Sequence, residues 1–176
     1  GLLYVGQYGY RPHEAAAVGR VTQVLPLVQA EVPSVTVELV GRDPTPAVKA
    51  LDTGGVAVLG AVEEVLPCLH HARALVVPLR AGSGTRLKIL EAMAAGTPVV
   101  STPLGAAGID ADDGEHLLLG ESPADLAAQA VRVLSDDALA QRLSKAARAL
   151  VEERYDWGVF APTVAEVLAD LTAPPG

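Results

Sequence analysis

Nearly unbroken apolar runs alternate along this chain with stripes at helical spacing. The runs at residues 2–5, 35–40, 56–59, 74–79, 98–101 and 116–119 are almost wholly hydrophobic. A strand with one wet face would alternate polar and apolar positions, so continuous runs predict parallel strands covered on both faces. Between the first two, Val18, Val21, Leu25 and Val28 recur on one helical face. Further helical patterns cover about 46–51, 63–72, 85–95 and 122–134. Beyond the sixth run the pattern is purely helical. Asp136 or Asp137 is the expected cap of a helix reaching to about residue 153. A last helix carries Trp157, Phe160, Val164 and Val167 along one side, and Pro162 should kink it or mark its start. The alternation predicts an α/β fold, a Rossmann-like doubly wound parallel sheet of about six strands followed by C-terminal helices. Neither a repeat nor a low-complexity linker interrupts it. Residues 1–171 therefore read as one domain, and 172–176 as a fraying tail.

Composition narrows the possibilities. The chain has 176 residues, half of them hydrophobic, enough to build a core without metals or disulfides. The single cysteine, Cys68, forms no internal disulfide and reads as a small buried residue of an apolar helix. No stretch approaches the roughly 20 apolar residues of a membrane span. The opening Gly1-Leu2-Leu3-Tyr4-Val5 is already strand-like with no charged leader, which argues against a signal peptide and for a segment removed upstream. A cytoplasmic location is the expectation. The net charge of −8 makes nucleic acid an unlikely partner class, and an anionic ligand would need a local basic site.

In doubly wound sheets the ligand crevice lies beyond the carboxyl ends of the strands, at the switch point. Four loops meet that description: Gly6-Gln7-Tyr8-Gly9, Gly41-Arg42-Asp43, residues 80–86, and Thr102-Pro103-Leu104-Gly105. The third carries the chemistry. In Arg80-Ala81-Gly82-Ser83-Gly84-Thr85-Arg86 the glycines let backbone amides approach an anion, and the helix expected from near Thr85 aims its free N–H groups there. Arg86 and Lys88 then stand in the first turn, where the helix dipole disfavours cations by roughly 0.3–1 kcal/mol each. A bound diphosphate would reverse that sign and satisfy Arg80, Arg86 and Lys88 at once. The bland reading has these side chains in solvent, or Lys88 paired with Glu91 at i+3. Three cations around one glycine turn favour the phosphate site. Glu91, in the apolar context Ile89-Leu90-Glu91-Ala92-Met93, suits paired sugar hydroxyls, or is simply a solvent-facing carboxylate. His13, His70, His71 and His116 form neither a triad nor a metal set by spacing, and read as surface or helix residues. No metal or cofactor is called for.

The run from Gly82 to Ser101, GSGTRLKILEAMAAGTPVVS, resembles the signature of retaining glycosyltransferases of family four, which have the GT-B fold. Leu39-Val40-Gly41-Arg42, Val58-Leu59-Gly60, Asp113-Gly114-Glu115-His116-Leu117-Leu118 and Glu153-Arg154-Tyr155-Asp156-Trp157 are similar to flanking segments of that family. The resemblance implies that this chain is the donor-binding half, taking a nucleotide-diphosphate sugar such as a UDP- or GDP-sugar as substrate. It implies backbone contacts to the diphosphate from Thr85, Arg86 and Leu87, with Gly6, Arg80, Gly84 and Lys88 around the same group. Glu91 would bind ribose, Ser83 would face the donor sugar, and Arg42, Gly60, Ala61 and Val62 would frame the nucleobase. In the family a second glutamate stands eight residues before the ribose one, and here that position is Ser83. The family's Arg and Lys after the first strand are likewise not matched by Gln7-Tyr8-Gly9-Tyr10-Arg11, though Arg11 is a candidate substitute. The partner would be an N-terminal acceptor domain absent from this chain, which would also carry any peripheral membrane contact. No catalytic acid or base can be named within this half. The alternatives are a GT-B-fold nucleotide-sugar epimerase and a non-catalytic nucleotide-binding module. Nicotinamide dinucleotide binding is disfavoured because the first loop lacks Gly-x-Gly-x-x-Gly.

Overall fold

The structure, a computed structural model, describes residues 1–9, 11–80 and 86–172, apart from some side chains of the first and last helices, Phe160 among them. Six strands, β1 (Leu2–Val5), β2 (Val37–Val40), β3 (Val56–Gly60), β4 (Ala74–Val77), β5 (Val99–Ser101) and β6 (Leu118–Leu119), form one parallel sheet in the order β3-β2-β1-β4-β5-β6. Chain direction along the sheet reverses between β1 and β4, so the switch point lies there. The strands are shorter than the apolar runs because the run ends turn out of the sheet. Val35 and Leu79 are buried just beyond the paired residues.

Among the described residues, seven helices accompany the sheet: α1 (Arg11–Glu31), α2 (Pro46–Lys49), α3 (Leu66–His71), α4 (Leu87–Ala94), α5 (Pro123–Ser135), α6 (Asp137–Arg154) and α7 (Trp157–Thr172). The α1 stripe is realised by Val24, Leu25 and Val28, all buried, and α1 packs on α5 while α4 packs on α6. Leu3, Leu39, Leu75, Val99 and Val100 are fully enclosed in the sheet, as covering on both faces requires. Ser122 and Asp125 close a capping box at α5, and the Asp136 side chain accepts from Leu139 N–H at 2.9 Å to cap α6.

Several elements and residues differ from these expectations. Helix α3 begins only at Leu66, after a short irregular stretch, with Pro67 inside its first turn. Helix α7 starts at Trp157 and continues through Pro162; the carbonyl that loses its donor belongs to Gly158, an exposed residue. The same helix includes Thr172, assigned to the tail; residues 173–176 lie outside the described part. Trp157, the first residue of the last helix's apolar stripe, is 83% exposed. Cys68 is half-buried rather than enclosed.

Candidate functional site

The loops leaving β1, β2 and β3 are stitched into one floor by their backbones. Gly6 N–H donates to Val40 C=O (2.9 Å), Tyr8 N–H to Arg42 C=O (3.0 Å) and Gly41 N–H to Gly60 C=O (2.7 Å). Tyr8 is fully buried beneath them, and its hydroxyl donates to the Val40 carbonyl at 3.2 Å. Gly41 is where the loops touch: a Cβ there would stand 1.6 Å from the Gly6 carbonyl oxygen. No other residue permits this approach.

On the other side of the switch point, α4 opens at Arg86. Ile89 N–H donates to the Arg86 carbonyl at 2.8 Å, leaving the amides of Leu87 and Lys88 at the helix's free end. The Arg86 guanidinium is buried and donates to Leu104 C=O at 3.0 Å. That carbonyl is itself fixed in place, because Gly105 N–H donates to the Thr102 hydroxyl (2.9 Å) and the loop sits tightly on β4. A Cβ at Gly105 would come within 2.4 Å of Ser101 Oγ and 2.8 Å of the Val77 carbonyl oxygen.

Lys88 crosses the switch point. Its ammonium donates to the Val5 carbonyl, the last of β1, at 2.8 Å and lies 5.9 Å from the centroid of the Tyr4 ring. Burial, then the neighbouring Arg86 charge, lower the Lys88 pKa to about 8, with Glu91 pulling the other way. The i+3 pair with Glu91 considered from the sequence does not form. Burial of the Tyr4 ring pushes its hydroxyl pKa well above its ordinary value.

Two clefts flank the start of α4. The first, about 690 Å³, is lined by Gly6, Arg42, Ala61, Val62, Leu87 and Lys88 among others. It unites most of the residues named for diphosphate and nucleobase, and Gly60 is joined to its lining through the bond from Gly41 N–H. The second, about 700 Å³ and mainly apolar, is lined by Arg86, Leu87, Glu91, Gly108, Tyr155 and Trp157. Glu91 therefore faces the second cleft while Lys88 faces the first, with Leu87 bordering both. Arg80 is exposed beyond β4. Ser83, Gly84 and Thr85 lie outside the described residues, as does the Arg11 side chain.

The sequence reading missed Tyr8 and Tyr4, whose roles as floor and wall have no local signature. It also missed that Asp112, Glu115 and His116 bring their ligand atoms within 4.8 Å of one another. There His116 Nδ1 accepts the Asp112 N–H at 3.0 Å, and both carboxylates are exposed.

The family model described as glycosyl transferases group 1 matches residues 1–136. The chain is 34% identical over 184 residues to a glycogen synthase of Mycobacterium tuberculosis, covering 94% of this chain and 41% of that protein. It is 32% identical over 174 residues to a phosphatidyl-myo-inositol mannosyltransferase of Mycobacterium leprae, covering 94% and 45%. The chain thus spans less than half the length of these curated relatives. Among solved structures, HepE of Anabaena in complex with UDP superposes with a TM-score of 0.79 at 20% identity, over 96% of this chain and 48% of that one. The separately crystallised C-terminal domain of a group 1 glycosyl transferase from Francisella tularensis gives 0.72 at 18%, over 89% and 86%. These likenesses establish the fold, one half of the GT-B architecture. Among the described residues, no helix is long and apolar enough to cross a membrane.

Proposed function

Given that the chain belongs to the group 1 glycosyl transferases, we propose that it is the donor-binding half of an enzyme that transfers a sugar from a nucleotide-diphosphate donor with retention of configuration. The observation that carries this reading is the convergence at the switch point of the α4 N-terminus and the Lys88 ammonium beside one open cleft. In the reaction, the bond between the anomeric carbon and the diphosphate oxygen breaks as the acceptor oxygen bonds to that carbon and loses its proton. Negative charge then accumulates on the leaving diphosphate. Fixed amides and a desolvated cation stabilise such charge more strongly than water does. Leu87 and Lys88 supply both groups from one turn, and Gly6 lets the diphosphate approach the end of β1. Arg86 supports this turn by fastening it to the loop after β5. Leu87 borders both clefts, so a ribose lying over it is held by Glu91 from the flank of α4. Family membership favours transfer over the epimerase and binding-module alternatives.

Calorimetric titration of the chain with UDP, GDP and ADP tests the site. One of them should bind, and Lys88→Ala should weaken it, less visibly at high salt where charge is screened. Equal affinity of wild type and variant would remove Lys88 from the site. The grip needs no metal, so EDTA should leave the affinity unchanged.

A further inference from the structure

The first cleft contains two charged side chains with no work to do in the fold. Arg42 leaves the end of β2 and Glu63 follows β3; both line the cleft and both are exposed. Among the described residues, neither side chain forms an ion pair or hydrogen bond, even though they border one cavity with opposite charges. The same cleft is lined by the apolar side chains of Val62 and Val65, which suit the face of a flat ring. The floor has little to offer such a ring by hydrogen bonding. The amides of Gly6, Tyr8 and Gly41 and the carbonyls of Val40, Arg42 and Gly60 already satisfy one another. Arg42 and Glu63 are charged side chains of this cleft that are available to a base edge.

Resting on the donor-site reading above, we infer that this cleft selects guanine, with the Arg42 guanidinium on the N7 and O6 edge and the Glu63 carboxylate on the N1–H and N2–H₂ edge. A planar guanidinium matches the paired acceptors N7 and O6 in bidentate fashion. A carboxylate accepts only, and it is best matched by two adjacent donors. Guanine alone among the common bases has both edges. Adenine sets one amino donor beside a ring-nitrogen acceptor. Uracil flanks its single N3–H with two carbonyls, so a carboxylate approaching that edge meets negative charge. Cytosine has one amino donor next to two acceptors. The donor of this chain is accordingly a guanosine-diphosphate sugar, its diphosphate at Leu87 and Lys88 in the same cleft.

The test is calorimetry of the chain with GDP, IDP, ADP and UDP at one salt concentration, for wild type and for Glu63→Gln. Glu63 is exposed and unpaired, and the melting temperature checks that the variant is folded. GDP should bind about 10-fold or more tighter than ADP and UDP, the discrimination expected of one good bidentate pair. IDP, which lacks the 2-amino group, should bind several-fold more weakly than GDP, and Glu63→Gln should abolish the difference between GDP and IDP while leaving UDP unchanged. Binding of UDP or ADP at least as tight as that of GDP overturns the guanine assignment and leaves the donor site standing. An unchanged GDP-to-IDP ratio in Glu63→Gln overturns the role of Glu63. If none of the four binds, the donor-site reading itself falls, and this inference with it.

Discussion

Lys88 carries opposing consequences for binding and for stability. A lysine whose folded pKa is depressed to about 8 from 10.5 binds fewer protons folded than unfolded between those values. The charged ammonium therefore costs stability below pH 8, and the cost is relieved as pH rises toward 10.5. Lys88→Met keeps the stem and removes the charge beside Arg86. It should raise the melting free energy of the nucleotide-free chain at pH 7 by about 1 kcal/mol while weakening diphosphate binding. Thermal unfolding with and without nucleotide reads both effects, and a variant that loses stability and binding in parallel would point to a structural lysine. Because a diphosphate favours the ammonium, nucleotide binding near pH 8.5 should take up protons, seen as a binding enthalpy that depends on the buffer's ionisation heat. At Glu91 the discriminating ligand is a 2′,3′-dideoxy nucleotide. Glu91→Gln should weaken the ribonucleotide far more than the dideoxy form, and equal losses would make Glu91 a helix-surface residue only.

At the scale of elements, the site is held by the close backbone contacts at Gly41 and Gly105. Gly41→Ala would drive a Cβ into the Gly6 carbonyl, so the β1 and β2 loops must separate. A loss of about 3 kcal/mol or more is expected in urea unfolding, with nucleotide affinity falling as well, since the displaced loops form the cleft floor. Far from the cleft, Ser122→Ala removes half of the α5 capping box and should cost about 1 kcal/mol with no change in nucleotide binding. The pair separates damage to the floor from general loss of stability. If Gly41→Ala leaves binding intact, the loop contact is not what shapes the cleft.

For the whole molecule, the most informative surface is that of α7. Trp157, Val164 and Leu168 are 83%, 53% and 56% exposed, and Leu87 at the mouth of both clefts is 59% exposed. Trp157 and Leu87 put part of this exposed apolar surface on the second cleft. Trp157→Ser should change stability by no more than about 0.5 kcal/mol. It should also reduce concentration-dependent association in analytical ultracentrifugation. A large stability loss would place Trp157 in the core after all. The chain alone should bind nucleotide yet transfer no sugar, because holding donor and acceptor in one geometry can supply roughly 7–11 kcal/mol of the barrier. Sugar transfer by these 176 residues at the rate of a full-length enzyme would overturn the half-enzyme reading.

The sequence by itself determined the order of strands along the chain, the α/β class and Asp136 as one of two offered caps of α6, and it put the candidate site between Arg80 and Glu91. Those features are local: apolar run length, turn residues and cap side chains act within a few positions of themselves. It also supported the family, because its motif is contiguous. What only the tertiary structure decided is where polar groups 83 residues apart meet, as the Lys88 ammonium and the Val5 carbonyl do, and which face of α4 looks into which cleft. Arg86 and Lys88 looked alike as first-turn cations, yet one is anchored on Leu104 and the other reaches across the switch point. The exposure of Trp157 was equally hidden, since an apolar stripe reads the same whether its partner lies in this domain or outside it. Burial, and with it the lowered pKa of Lys88, depends on surfaces that distant segments provide, and a one-dimensional pattern carries no record of them.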